Sequence, residues 1–394
     1  MDLTNFKKFT NLEIDEVKEC LLNHESSLSW PEIFENNFKE YVKCNYAIAC
    51  NSGTSGLHAA LYAADVNAGD EVILPALTVV MDAYVILHMG AKPVFSDVDP
   101  KTHLIDADDI RKKITPKTKA IITVSWEGLM CEMNEINSIG KENNIVVIDD
   151  SARTVDGFYY DTISGLGADM TVFSFEAKKH LTCGGEGGMI TTNNPDLAKK
   201  ARKFAGIGYK HLTANAGETH LAKENVQDPG YARFDTIGLN YRMNDVSAAV
   251  GIGQLKRVKE IVGQRKLIGN MFKDKIVNKY PWFIPQFTPE HIEHAYYTFS
   301  CEYKKELANG KTWKDFYNEF TRRGGDGFYG SVLNPYLEPS IVNLFKSEFS
   351  SNYYLCPNAE KIQQSVMCFK TNYRNLEKAN SQLDILLTLL DEWV

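Results

Sequence analysis

TVFSFEAKKHLTCGGEGGMITT, residues 171–192, is the stretch on which the reading of the fold turns. It opens on β-branched and aromatic residues, Thr171–Phe175, that read as a short strand. Lys178, Lys179 and His180 follow. Gly184, Gly185, Gly187 and Gly188 then lead into a second apolar run, Met189–Thr192. A lysine just past a strand, in a glycine-lined loop, sits where open α/β sheets bind ligands, beyond the carboxyl ends of their strands.

Upstream the same texture repeats. Ala47–Cys50, Glu71–Leu74, Pro93–Phe95, Ala120–Val124 and Ile145–Ile148 are short apolar runs bounded by Gly, Pro or Asp. Between them lie stretches with helical periodicity, such as Ser55–Ala64 and Met133–Lys141. Strands without polar alternation are buried on both faces, so the pattern predicts an α/β fold. Its mostly parallel sheet is the middle of three layers. Residues 12–45 read as helices, with Leu12, Ile14, Val17 and Leu21 and then Phe34, Phe38 and Tyr41 at helical spacing. A long helical pattern spans Leu255–Lys275. After Pro281 the strand-like YYTFSCEY (296–303) mixes with helices near 312–323 and 376–391. The expected division is a large domain with its N-terminal helices at 1–260 and a smaller α+β C-terminal domain at 261–394.

Composition agrees with a globular chain of two domains: 394 residues, 44% apolar and 24% charged. The net charge of −8 and the scattered basic residues exclude a nucleic-acid footprint. No apolar run approaches the roughly 20 residues that span a bilayer. MDLTNFKKFTNLEIDE lacks the apolar stretch of a signal peptide, and a cytoplasmic location is expected. None of the eight cysteines forms a CxxC pair, so reduced thiols and no metal site are expected.

Three constellations carry chemistry. Asn51-Ser-Gly-Thr-Ser-Gly56 precedes the helix-like LHAALYAA. Amides of Gly53, Thr54 and Ser55 at a helix start would cup a phosphate, although Ser and Thr are also ordinary N-caps. Asp149 and Asp150 end the strand Ile145–Ile148. Alternation points them to opposite faces, so at most one serves a site. Ser174 and Lys179 form the third: a buried lysine with a lowered pKa is a nucleophile, while a solvated Lys178-Lys179 pair is the alternative. The order of cup, acid and lysine suits a pyridoxal phosphate site, with the acid protonating the ring nitrogen.

At this point the sequence resembles the DegT/StrS-type aminotransferases that act on nucleotide-linked keto sugars, within the aspartate-aminotransferase fold (fold type I). The resemblance rests on NSGTSGLHAAL (51–61), GDEVILPALT (69–78), GAKPVFSDVDP (90–100), VVIDDSA (146–152), FSFEAKKHLTCGGEGGMITTN (173–193), GLNYRMNDVSAAVGIGQL (238–255) and CPNAEKI (356–362). It implies pyridoxal 5'-phosphate as cofactor and Lys179 as the Schiff-base lysine. It implies Ser174, Thr54 and Ser55 at the phosphate and Asp150 at the ring nitrogen. Asn240, with Arg242 nearby, matches a loop that reaches the phosphate from a neighbouring subunit, which implies a homodimer with shared active sites; Arg242, with Arg153 and Lys178, is also a candidate for the basic patch that meets a nucleotide-linked substrate. The implied reaction moves an amino group from an amino acid, glutamate by family analogy, to a keto sugar in surface-glycan or natural-product biosynthesis.

Several positions depart from the family pattern. The family's lysine usually stands six residues before the Glu of GGEGG. Here His180 holds that spacing from Glu186 and Lys179 is one further back. Some relatives carry a histidine there and resemble keto-sugar dehydratases, so a lyase with His180 as base is the alternative activity. The Ser174-to-Lys179 spacing favours the lysine. Arg153 replaces a glutamine that bonds the ring hydroxyl; as a cofactor-binding residue its guanidinium would hold the phenolate charge more strongly, and it could also bind a substrate acid group. Val79, followed by Met81 and Asp82, replaces the usual aromatic residue, and Trp126 is a candidate for the missing aromatic surface. Asp326 and Tyr329 stand where relatives often contact substrate.

Overall fold

The computed structural model describes residues 6–22, 29–215, 225, 227–345 and 356–394. Seven strands form the central sheet: β1 (Tyr46–Cys50), β2 (Glu71–Pro75), β3 (Lys92–Ser96), β4 (Thr118–Val124), β5 (Val146–Asp150), β8 (Met170–Ser174) and β9 (Gly188–Thr192). The short β6 (Phe158–Tyr159) and β7 (Thr162–Ile163) belong to a small separate sheet. The central order is β1-β9-β8-β5-β4-β2-β3. Only β9 runs antiparallel, against both β1 and β8. The other six strands therefore point their carboxyl ends to one edge. The mostly parallel sheet read from the sequence is the one observed.

Helix α1 (Asn11–Leu22) departs from the simplest reading of its apolar spacing. Leu12, Ile14 and Leu21 are exposed, whereas Glu13 and Cys20 are buried. Glu13 is held by Arg257 (3.0 Å) and Gln254 (2.6 Å), so a polar contact faces inward. Helix α2 (Trp30–Val42) begins at a Ser29 capping box with Pro31 in its first turn. Its Phe34 and Phe38 pack on Phe173 and Phe175 at ring separations of 5.1 to 5.6 Å.

That packing sets the other face of β8. With Phe173 and Phe175 turned to α2, alternation turns Val172 and Ser174 to helix α3 (Gly53–Ala63). Glycines at 53 and 56 let α3 approach. A Cβ on Gly53 would lie 2.9 Å from the Ser174 Cβ, and one on Gly56 2.8 Å from Val172 Cγ1. The helix starts two residues earlier than its periodicity suggested because Ser52 caps it. The long helical pattern at Leu255–Lys275 is largely one helix, Val258–Ile276, and a separate helix, Asp245–Lys256, ends just before it at Arg257. A second, largely aromatic core, with Phe272, Phe283, Phe316 and Phe369, gathers residues from 268 to 393.

Candidate functional site

The ends of β1, β8 and β5 meet at the carboxyl edge. At the start of α3, the Ser55 amide donates to Ser52 Oγ (3.1 Å) and the Ser55 hydroxyl reaches Asn51 Oδ1 (2.6 Å). Ser55 is thus committed to the cap. A helix opens with amides that have no intrahelical partner, so those of Gly53 and Thr54 remain to meet an anion. The contact of Gly53 with Ser174 brings the cup against the end of β8.

Alternation separates the two acids of β5. Asp149 turns away and accepts from Thr123 (2.8 Å), Ser125 and Ser151. Burial pushes its pKa up to about 6. Asp150 is 4% exposed, accepts from the Ala152 amide (2.8 Å), and feels the charges of Lys179 and Arg153. Burial still raises its pKa above the ordinary value. Its neighbour is Asp82 on helix α4 (Val80–His88). Asp82 is fully buried and accepts from the Thr78 hydroxyl, while its Oδ1 receives no hydrogen bond from any other described group. The two carboxyls lie within hydrogen-bonding reach. Burial, then the charge of Asp150, holds the Asp82 pKa well above normal. Burial and the neighbouring charge of Asp150 thus favour the neutral form of Asp82.

Lys179 follows β8 in a turn closed by its amide on the Glu176 carbonyl (3.0 Å). Burial lowers its pKa and Arg153 adds to the effect, against the opposing charges of Asp150, Glu176 and Glu127. Lys178 is exposed. His180 is buried, with Nε2 donating to the Ala295 carbonyl (3.0 Å), and burial keeps its pKa well below normal.

Arg153 pairs with the buried Glu127, whose other oxygen accepts from Thr298 (2.5 Å). Its guanidinium lies 4.0 Å from the Trp126 ring and 5.2 Å from that of Tyr297. These residues and Tyr329 line one cavity of about 450 Å³. Trp126, Arg153 and Tyr329, three positions singled out from the sequence, are thereby brought together. Asp326 does not line it; its side chain pairs with Lys378 (3.1 Å). Asn240 and Arg242 line a different cavity. Both are exposed, with Arg242 Nε donating to Asn240 Oδ1 (3.0 Å). Their segment still borders the cup, since the Asn51 amide donates to the Tyr241 carbonyl (2.8 Å).

Sequence reasoning passed over Tyr297, which lies in a stretch read as a strand, and gave Asp82 no role. For Asp82 one signal was present: a carboxylate four residues after Thr78 at a helix start, in an otherwise apolar stretch.

The fold, with a lysine at the carboxyl edge of the sheet, is that of the aspartate-aminotransferase class. An aminotransferase from Psychrobacter cryohalolentis superposes with a TM-score of 0.83 at 26% identity, covering 98% of each chain. The chain belongs to the DegT/DnrJ/EryC1/StrS aminotransferase family, whose model matches residues 8–381. The family is pyridoxal phosphate-dependent, and a Streptococcus pneumoniae neighbour (22% identical, TM-score 0.82, 100% and 99% of the two chains) is a PLP form. A GDP-perosamine synthase of Caulobacter vibrioides is 39% identical over 244 residues, 62% of this chain and 61% of that one. The chain thus spans less than two thirds of that relative's length. A GDP-perosamine synthase of Escherichia coli O157:H7 is 35% identical over 68% of this chain and 69% of its own. Among the described residues no helix is long and apolar enough to cross a membrane.

Proposed function

We propose that this protein transfers the amino group of an amino acid, glutamate by analogy, to a nucleotide-linked keto sugar, with Lys179 as the catalytic residue. The observation that carries this reading is the placement of Lys179: a half-buried amine of lowered pKa, near a buried acid, at the carboxyl edge of the sheet. The kinship with two GDP-perosamine synthases supports a nucleotide-linked acceptor.

Pyridoxal phosphate, when bound, supplies an electron sink for the substrate carbon. The residues present suit it. The amides of Gly53 and Thr54 and the hydroxyl of Ser174 would hold the phosphate, with Ser55 fixing the cap. Asp150 would hold a proton at the ring nitrogen, and a neutral Asp82 beside it would help to orient it. The Lys179 amine, neutral at a lower pH than an ordinary lysine, would take the proton from the substrate α-carbon as a base and then deliver it, as an acid, away from that carbon. Arg153, fixed by Glu127 and Trp126, offers a cation on the substrate side, where Tyr329 stands at the cavity.

The active unit in this reading is a homodimer in which Asn240 and Arg242 serve the partner's phosphate cup. Ile237 beside them is 94% exposed, and Leu12, Ile14 and Val246 are exposed on two helices packed together, as a surface awaiting a second copy would be. A cytoplasmic setting accords with eight free, buried cysteines. The lyase reading finds less support, because His180 is sealed against the Ala295 carbonyl.

The test is a pair of half-reactions. Glutamate should bleach the visible absorbance of the cofactor-loaded protein, and a GDP-linked keto sugar should restore it while becoming an amino sugar. Release of a deoxygenated sugar without amine would instead establish the lyase.

A further inference from the structure

Helix Val258–Ile276 carries Arg265 to the wall between two cavities. One is the cavity of about 450 Å³ that holds Arg153 and Tyr329. The other, of about 270 Å³, is lined by Lys179, His180 and Arg374. Lys178, Arg265 and Asn372 line both, so the two are adjoining chambers.

Arg265 differs from the other buried arginines. Arg202 is paired with Glu35 (2.9 Å) and Arg257 with Glu13 (3.0 Å). Arg265, only 6% exposed, has no carboxylate partner among the described residues. Its Nη1 donates to the Tyr297 carbonyl (2.9 Å), and its remaining N–H groups have no assigned acceptor. A buried charge is ordinarily paired, because leaving it alone in a medium of low polarity is costly. Burial lowers the pKa only to about 10, so the group stays charged at neutral pH.

The surroundings add to the imbalance. Lys178, Lys179, Lys370 and Arg374 join Arg153 and Arg265 around the two chambers. Glu127, the one acid among the described lining residues, is taken by Arg153. This cationic lining lies in a chain of net charge −8. The Arg265 guanidinium and the Lys179 amine each lie 5.5 Å from the ring of Tyr297. Both residues line the smaller chamber, so an anion held by Arg265 shares that chamber with the amine.

We propose that Arg265 is a substrate-binding residue whose guanidinium takes an oxyanion of the substrate, a carboxylate or a phosphate, in the chamber next to Lys179. The identity of that substrate rests on the aminotransferase reading above. Two sources offer this chemistry: the α-carboxylate of the amino donor and the phosphates of a nucleotide-linked acceptor. A planar guanidinium meets either one in bidentate fashion, which a lysine cannot match.

The experiment measures the two half-reactions separately for the cofactor-loaded wild type, Arg265→Gln and Arg265→Lys. It adds melting temperatures with no addition, with maleate (an unreactive dicarboxylate) and with GDP. The KM of one substrate should rise at least about ten-fold in Arg265→Gln, with a smaller change in kcat and partial recovery in Arg265→Lys. If the donor carboxylate is the ligand, glutamate shows the rise and stabilisation by maleate is lost. If the phosphates are, the sugar nucleotide shows it and stabilisation by GDP is lost. Without additions, Arg265→Gln should melt no lower than wild type, because an unpaired buried charge has been removed; a merely structural arginine would lower the melting temperature. Unchanged KM values and unchanged maleate and GDP shifts overturn the proposal. Should Arg265→Gln fold poorly, the same null result in Arg265→Lys does so. A wild type inactive in both half-reactions overturns the aminotransferase reading instead, and the maleate and GDP shifts still decide Arg265.

Discussion

The end of β5 and the segment 234–242 belong to the same proposed site and are built in opposite ways. Asp150 is enclosed by its own chain: Ala152 donates to it, the buried Asp82 stands beside it, and Lys179 and Arg153 supply opposite charge. Asn240 and Arg242 bond to each other in the open, next to the exposed Ile237. The floor is complete within one chain, and its protonation states are already displaced. The rim stands exposed in a single chain, and the proposed homodimer would cover it. Substitutions should therefore act on chemistry at the floor and on assembly at the rim.

The largest effect is expected at the floor. Lys179→Ala should lower amino transfer on the order of 10³-fold or more, read as the rate of cofactor bleaching by glutamate, with the melting temperature little changed. Activity within ten-fold of wild type would break the contrast. Asp150→Asn should follow, with a loss on the order of 10²-fold in the same assay, because the proton at the ring nitrogen loses its counter-charge.

Asp82→Asn should spare most activity and alter the pH dependence of stability. Below the ordinary aspartate range, Asp82 is protonated both folded and unfolded. Above it, the unfolded chain ionises while the folded protein keeps the proton, so stability declines as pH rises toward the raised folded value. Asparagine copies the neutral acid and escapes that decline. The melting temperature of Asp82→Asn should match wild type near pH 3 and exceed it at pH 7. A constant difference across that range would contradict a neutral Asp82 in the folded protein.

The smallest effect on the fold belongs to the rim. Arg242→Ala should change the stability of the folded chain by no more than about 0.5 kcal/mol in denaturant titration. It should nevertheless weaken cofactor retention on dilution, where dimers dissociate. Retention equal to wild type at every protein concentration would detach Arg242 from the cup.

Much of the floor was legible in the sequence because it follows local rules. Period-2 alternation placed Asp149 and Asp150 on opposite faces, and a capped glycine-bearing helix start placed the cup. The parallel strands were readable from their uninterrupted apolar runs, although nothing in Met189–Thr192 marked β9 as the antiparallel member. What escaped depends on partners far along the chain. Glu13 is buried because Arg257 and Gln254 meet it, which turned the apolar residues of α1 outward. Asp82 meets Asp150, and Arg265 meets Tyr297, across 68 and 32 residues of sequence respectively. No periodicity reports such pairs.

The most direct test is borohydride reduction of the pyridoxal phosphate-loaded protein followed by peptide mapping. The reduced cofactor should be found on the peptide carrying Lys178 and Lys179, and fragmentation should place it on Lys179. Attachment at Lys178, or a protein that binds the cofactor and carries no adduct after reduction, would contradict the assignment on which the whole account rests.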